Sequence, residues 1–252
     1  MIDATPLMAF GLLLVRPGML ITAAPAFGGV YAPARLKTGF TMLLAFAMLP
    51  STTVRPLAEP LSIAIVVARE AAIGLALALA IRALIAGAEL GGHLIGFQMG
   101  LSYGAVVDPQ SGVRNPLLAV LYGNIALATF FMTNGHHAFL RALQRSYVDL
   151  PIGQGGISAS LPESVGQMLG IVFTVGARLA APVVVVLFLN ELALGLLARS
   201  APALNLMALG PSVRILVGLA ILAIAVPSVA GLVAGTSGSF VQLAVHIASA
   251  FR

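Results

Sequence analysis

Six long apolar segments limit what this chain can fold into. They lie roughly at residues 4–24, 38–54, 61–86, 117–140, 165–198 and 213–234, and proline- and glycine-containing stretches separate them. A helix of about 20 apolar residues crosses the hydrocarbon core of a bilayer. No alternation of apolar and polar residues persists long enough for a transmembrane barrel. The sequence therefore predicts an all-α, polytopic membrane-type protein, with some helical segments long and broken.

Composition supports the same class of protein. Hydrophobic residues make up 60% of the chain and charged residues 8%, against roughly 25% charged in a typical soluble domain. The chain is expected to be a polytopic membrane protein or a subunit buried in a hydrophobic complex. Its basic side chains are scattered singly, so the electrostatic footprint of a nucleic-acid-binding protein is absent. The lack of cysteine excludes disulfides and thiolate metal sites.

A row of glycines recurs every four residues near the middle of the chain, at Gly92, Gly96, Gly100 and Gly104. Such a row leaves one helix flank almost bare, and this predicts close packing against another helix. The row stops before Asp108-Pro109. Because proline cannot supply a helical donor and disfavours helix for the preceding residue, a polar loop is expected to begin there.

Three further positions suggest breaks in the helices. Gly87, Gly91 and Gly92 are expected to weaken the third segment, which would then run towards Gly104 as a long, bent or broken helix. The small residues 235–239 are expected to end the sixth segment before a weakly amphipathic tail at 240–251. A turn is expected between Ser200 and Pro211.

Several charged residues lie inside the apolar segments. Because a charge at the bilayer centre costs on the order of 3 kcal/mol on insertion scales, these side chains should face protein or water and be paired. One interpretation is an ion relay in a secondary transporter or permease subunit. The favoured interpretation is a set of bridges between helices or subunits, since structural ion pairs are common. The residues are Arg16, Arg69, Glu70, Arg82, Glu89, Arg178 and Glu191.

Motifs for catalysis are weak. Gly235-Thr236-Ser237-Gly238 matches the nucleophile pattern of rhomboid proteases, but the nearest downstream histidine, His246, is only nine residues away on the same segment. The pair His136-His137 lacks both the metalloprotease spacing and a clustered acidic partner. A phosphate-binding loop is excluded because its lysine is missing. We therefore expect no enzymatic activity, no metal site and no cofactor.

Taken in order, several motifs resemble one family across nearly the whole chain. They are residues 95–100 (IGFQMG), 108–112 (DPQSG) and 133–137 (TNGHH), joined by 16–18 (RPG), 69–70 (RE) with Gly74, and 149–153 (DLPIG). This set is similar to the FliR family, the R component of the flagellar type III secretion export gate, which is related to the T component of virulence secretion systems. One element departs from the family pattern, since Ala203 replaces a usual glutamine. Pro202, Asn205 and the basic Arg214 remain, as subunit contacts or turn residues.

The resemblance implies a structural and gating subunit in a helical hetero-oligomer with P-type and Q-type subunits, at the flagellar basal body in the bacterial inner membrane. It implies a P-like helical half at 1–155 and a Q-like hairpin with a C-terminal tail at 156–252. Implied partners are also the B-type switch protein, the A-type export protein, unfolded export substrates in transit and membrane lipid, but no nucleic acid. It implies a loop that plugs the pore, formed by Gly104, Val106, Val107, Asp108, Pro109, Gln110, Ser111 and Gly112.

Overall fold

A computed structural model describes residues 5–27, 32–49, 60–101, 116–154, 161–200 and 206–249. These ranges hold seven α-helices and no strand, so the prediction of an all-α chain is confirmed. The helices are α1 (Thr5–Ala23), α2 (Ala34–Met48), α3 (Pro60–Gln98), α4 (Leu117–Met132), α5 (Gly135–Asp149), α6 (Leu161–Ser200) and α7 (Leu206–Ser249).

By length and composition, three helical stretches can cross a membrane. They are Leu61–Gln98, Pro162–Ser200 and Leu209–Ala248. A fourth crossing is available if the bent pair α4 and α5 is taken as one span. The prediction of a polytopic membrane-type helical protein is thus confirmed. The first apolar segment forms a shorter helix, Leu7–Ala23.

Two predicted breaks are wrong. Helix α3 runs without interruption through Gly87, Gly91 and Gly92, and α7 runs through residues 235–239. The tail at 240–251 is therefore no separate element over its described part. Hydroxyl side chains are satisfied within α7, since Thr236 Oγ1 donates to the Leu232 carbonyl at 2.8 Å. The expected turn up to Pro211 is shorter than predicted, because Pro211 lies inside α7.

The fourth apolar segment is also divided differently. Helix α4 ends at Met132 and α5 begins at Gly135, at an angle of 69°. Between them Asn134 adopts a left-handed conformation with φ of 57°, which asparagine tolerates better than most residues. The sequence after Asn134 changes from uniformly apolar to amphipathic, so α5 buries one face and exposes its arginines.

The chain forms two compact units that interleave along the sequence. The first comprises residues Met1–Ala83, Phe131–Leu169 and Ser237–Arg252, and the second Leu84–Phe130 and Gly170–Thr236. In the first unit α1 packs against α2, and Leu20, Ile73 and Phe139 are fully buried. In the second unit the buried side chains include Tyr122 and Val183. The predicted halves 1–155 and 156–252 concern resemblance to other subunits and stay a prediction.

Candidate functional site

The described end of α3 is fixed by its own sequence. Gly100 has φ of 81°, its N–H donates to the Phe97 carbonyl at 3.0 Å, and the Leu101 N–H donates to the Gly96 carbonyl at 3.0 Å. These two bonds define a Schellman motif, the common glycine-dependent helix stop. Gly100 therefore caps α3, a role different from the helix packing that the four-residue repeat predicts.

The two residues that flank the segment 102–115 lie close together in the second unit. Leu101, which precedes the segment, and Pro116, which follows it, line the same small cavity of about 20 Å³. Gly92, Gly96 and Leu118 complete most of its wall. The chain therefore leaves α3 and enters α4 at a common base. The predicted plug residues, Gly104, Val106, Val107, Asp108, Pro109, Gln110, Ser111 and Gly112, lie outside the described residues.

Gly92 allows that base to close. A Cβ at this position would lie 2.6 Å from the Ala119 Cα and 2.6 Å from the Leu118 carbonyl carbon. Real Cβ atoms do not approach a backbone so closely, so only glycine lets α3 and the start of α4 lie this near to each other. Gly96, one turn further along, is also buried. The packing side of the glycine row thus consists of Gly92 and Gly96 in the described part of the chain.

A second glycine flank of α3 was missed in the sequence. A Cβ at Gly87 would lie 3.1 Å from Val175 Cγ1, and one at Gly91 would lie 3.0 Å from Leu179 Cβ, both on α6. In return, Gly176 of α6 receives Leu90, whose Cδ2 would lie 2.8 Å from an added Cβ. These glycines therefore join helices and do not break one. The i, i+4 spacing of Gly87 and Gly91 is the signal that indicates this packing.

Met99 anchors the end of α3 on a third helix. Its side chain is 1% exposed, and a Cβ at Gly218 of α7 would lie 2.7 Å from Met99 Cε. A single methionine next to a glycine is not recognisable from the sequence, because the two residues are far apart along the chain. With Gly92 and Gly87, this contact fastens the base of the segment 102–115 to α4, α6 and α7 within the second unit.

The first unit contains a buried ion pair between Arg16 and Glu70. Arg16 Nε donates to Glu70 Oε2 at 2.8 Å and Arg16 Nη2 to Oε1 at 3.1 Å. The residues are 0% and 1% exposed. Gly74, one turn after Glu70, permits this approach, since a Cβ there would clash with the Arg16 carbonyl oxygen and lie 2.9 Å from Met19 Cβ.

The other donors of Arg16 reach α5 and the residue after it. Arg16 Nη1 donates to Ser146 Oγ at 2.8 Å, and Nη2 also donates to the Leu150 carbonyl at 3.1 Å. The guanidinium lies over the ring of Tyr147, 4.2 Å from its centre. The Tyr147 hydroxyl donates to the Leu13 carbonyl at 3.0 Å. One side chain thus ties α1, α3 and α5 together by charge, hydrogen bonds and cation–π contact.

The other charged residues that were predicted to be paired are more exposed to solvent than Arg16 and Glu70. Glu191 of α6 pairs with Arg214 of α7 at 2.7 Å. Arg69 and Glu89 are half-buried, and the Glu89 side chain lies against Gly123, whose added Cβ would be 3.0 Å from Glu89 Cγ. Arg82 and Arg178 are exposed on this chain and not buried within it. The last two predicted contact residues, Pro202 and Asn205, lie outside the described residues.

The candidate catalytic motif does not assemble a site. Ser237 and His246 lie in the same helix nine residues apart, which separates them by about 13 Å along the axis. A serine–histidine pair needs hydrogen-bond distance. His136 lies against Phe131 and His137, with ring centres 5.2 Å and 4.2 Å away. Among the described residues no three histidine, aspartate or glutamate side chains come together as metal ligands do.

Comparison with known proteins decides the family. The profile of the family described as Bacterial export proteins, family 1, matches residues 7–239. The chain belongs to this family. The Flagellar biosynthetic protein FliR of Escherichia coli K12 is 32% identical to this export protein over 218 residues, which cover 86% of the chain and 84% of the relative. FliR of Bacillus subtilis 168 is 30% identical over 220 residues, covering 86% and 84%.

A relative that is named for protein translocation matches as well. The Yop proteins translocation protein T of Yersinia pestis is 24% identical over 218 residues, which cover 83% of this family 1 export protein and 82% of the relative. The FliR resemblance read from the motifs is therefore confirmed. Residues 7–239, which match the family profile, include the Arg16 network, the glycine contacts of α3 and the segment 102–115.

Proposed function

We propose that this chain is a structural membrane subunit of a bacterial type III protein export gate, of the flagellar branch, in the inner membrane. The observation that carries the proposal is the family match over nearly the whole length. Greater identity to FliR of Escherichia coli, 32%, than to translocation protein T of Yersinia pestis, 24%, favours the flagellar branch. The proposed role is to form the channel and not to catalyse a reaction.

We further propose that residues 104–112 form a reversible plug of the export pore. Support comes from the base of the segment 102–115, where Leu101 and Pro116 line one cavity. Gly92 and Met99 fasten that base to neighbouring helices. A segment held at both ends can move at its tip while its base stays in place. Polar residues such as Gln110 and Ser111 suit a water-filled cavity, where irregular backbone at membrane depth is tolerated.

The proposed neighbours are P-type and Q-type gate subunits, followed by the B-type switch protein and the A-type export protein, with unfolded substrates passing through. Arg214 offers a specific contact point. Its guanidinium pairs with Glu191 Oε1 at 2.7 Å, and the two side chains remain 27% and 36% exposed. A guanidinium has five N–H donors, more than one carboxylate can use. The exposed part of this pair is where an acceptor on an adjoining subunit would bind.

The alternative function, a secondary transporter, finds no support at Glu70, the carboxylate that is 1% exposed. Both carboxylate oxygens of Glu70 accept hydrogen bonds from Arg16, and Arg16 is further held by Ser146 and Leu150. A coupling carboxylate has to exchange partners with an ion or proton. Each carboxylate oxygen of Glu70 instead stays hydrogen-bonded to Arg16.

Co-purification in mild detergent distinguishes a gate subunit from a transporter, since a gate subunit should co-isolate with unlike small membrane proteins.

The plug is tested by deleting residues 108–112 and measuring ion conductance of the assembled complex in planar bilayers without substrate. We expect a clear rise in leak with unchanged recovery of the partner subunits. The matched control deletes five residues from another segment between helices, 155–159 (GGISA), and should leave the leak low. An intact deletion complex with normal low conductance would show that the segment is no plug, although the chain could still be a gate subunit.

A further inference from the structure

The first unit carries an open cleft that no part of the proposed export function uses. The cleft has a volume of about 490 Å³ and lies between α5 and the C-terminal part of α7. Its size falls within the range of about 300–1,000 Å³ that is usual for small-molecule sites. It is lined by Ala138, Arg141, Ala142, Arg145, Val241, Gln242 and Val245.

The lining divides into an apolar floor and a cationic rim. Alanine and valine side chains form the floor, and two arginines one helical turn apart, Arg141 and Arg145, stand at the edge. Among the residues that the structure describes, no acidic side chain lines the cleft. Asp149 approaches Arg145 only at 3.5 Å, from the next turn of α5, and the Arg145 side chain remains 75% exposed. The rim is therefore positively charged on balance.

This arrangement matches an amphiphile with an anionic head. Guanidinium groups bind phosphate oxygens with paired hydrogen bonds, and an apolar groove accepts hydrocarbon. Helix α5 is amphipathic and exposes its arginines, a pattern that is also found in helices at a membrane interface. Basic pockets between membrane helices bind the anionic head groups of lipids.

We propose that the cleft between α5 and α7 binds one anionic phospholipid, with its phosphate on Arg141 and Arg145 and an acyl chain along Val241 and Val245. The occupant is a lipid and not a peptide because the cleft offers charge at one edge and hydrocarbon elsewhere. In the described part of the lining, Gln242 is the only other polar side chain. The proposal does not rest on the plug and concerns a surface of the first unit alone.

The chain contains no tryptophan, so a single Gln242→Trp substitution provides a fluorescent reporter at the rim. The protein would be reconstituted into phosphatidylcholine vesicles containing brominated phosphatidylglycerol, or brominated phosphatidylcholine, as the quencher. We expect the anionic lipid to quench at about thirty-fold lower mole fraction than the zwitterionic lipid, since each arginine near the surface contributes about fivefold to anionic lipid binding. High salt should reduce the difference.

Arg141→Gln with Arg145→Gln should abolish this preference, so that both lipids quench alike. The matched control removes two exposed arginines elsewhere, Arg178→Gln with Arg199→Gln, and should keep the preference. Native mass spectrometry of the chain without the reporter gives a second measurement, one retained anionic lipid that the cleft double variant loses. Equal preference in both double variants would overturn the proposal. So would a reporter at position 242 that neither lipid quenches, because lipid would then not enter the cleft.

Discussion

Removing the guanidinium of Arg16 should destabilise the chain far more than removing any exposed arginine. In Arg16→Met the carboxylate of Glu70 stays in a site where it is 1% exposed, without its cation. Ser146 Oγ and the Leu150 carbonyl lose their donor at the same time. Breaking a buried pair from one side costs about 3–5 kcal/mol, because the remaining charge is left uncompensated.

This loss of stability can be measured as a decrease of the melting temperature in mild detergent. For a chain of this size about 1 kcal/mol corresponds to about 2–4 °C, so Arg16→Met should lower the midpoint by about 6–20 °C. Arg178→Met, which removes an exposed arginine, should stay within about 0.5 kcal/mol of the original stability. Thermal unfolding followed by circular dichroism measures both.

The single variant Glu70→Met and the double variant Arg16→Met with Glu70→Met complete the cycle. Because the double variant leaves no charge in the site, its loss of stability should be smaller than the sum of the two single losses, by a coupling energy on the order of 2 kcal/mol. The reasoning is refuted if Arg16→Met costs less than about 1 kcal/mol or if the two substitutions are additive. Either result would mean that Glu70 is relieved by water or by a different partner.

Two further predictions test the glycines of α3. Gly92→Ala should lower the free energy of unfolding by about 1–3 kcal/mol, because the alanine methyl group meets the backbone of Ala119. Gly166→Ala is the matched control, since a methyl group there meets nothing within 4 Å; it should raise the free energy of unfolding by about 0.4–1 kcal/mol. Equal effects would refute the close-packing argument. At Gly100, whose φ is 81°, Val should cost at least about 1–2 kcal/mol while Asn is tolerated. If Asn is as damaging as Val, then bulk at this position matters and the capping argument fails.

The lengths of the apolar segments predicted most of the fold. Apolar runs of sufficient length identify helices whatever their partners are, so the all-α class and the long spans followed from the sequence. The ends of helices were harder to predict. Residues 235–239 were expected to end a helix. Glycine and hydroxyl residues are nevertheless compatible with a long apolar helix when a hydroxyl, such as that of Thr236, donates to the carbonyl of the preceding turn, here Leu232.

The site was less predictable because its contacts join distant parts of the sequence. Arg16 and Glu70 are 54 positions apart and Arg16 and Ser146 are 130 apart. Each charge was recognised as unusual in an apolar segment, but nothing local indicates which opposite charge it meets. The contacts of the glycines were predictable to the same limited extent. A four-residue repeat marks a bare flank, whereas the identity of the facing helix, α4 for Gly92 and α6 for Gly91, depends on the fold.

The common base at Leu101 and Pro116 has a consequence for how these proteins can vary. When the two ends of a segment already meet, closure does not require any particular number of residues between them. For loops in general, doubling the number of residues costs only about 0.6 kcal/mol in closure entropy. The fourteen positions 102–115 can therefore gain or lose residues with little effect on the helices that carry them. Insertions and deletions between Leu101 and Pro116 would therefore leave Gly92 and the helix contacts that it permits as they are.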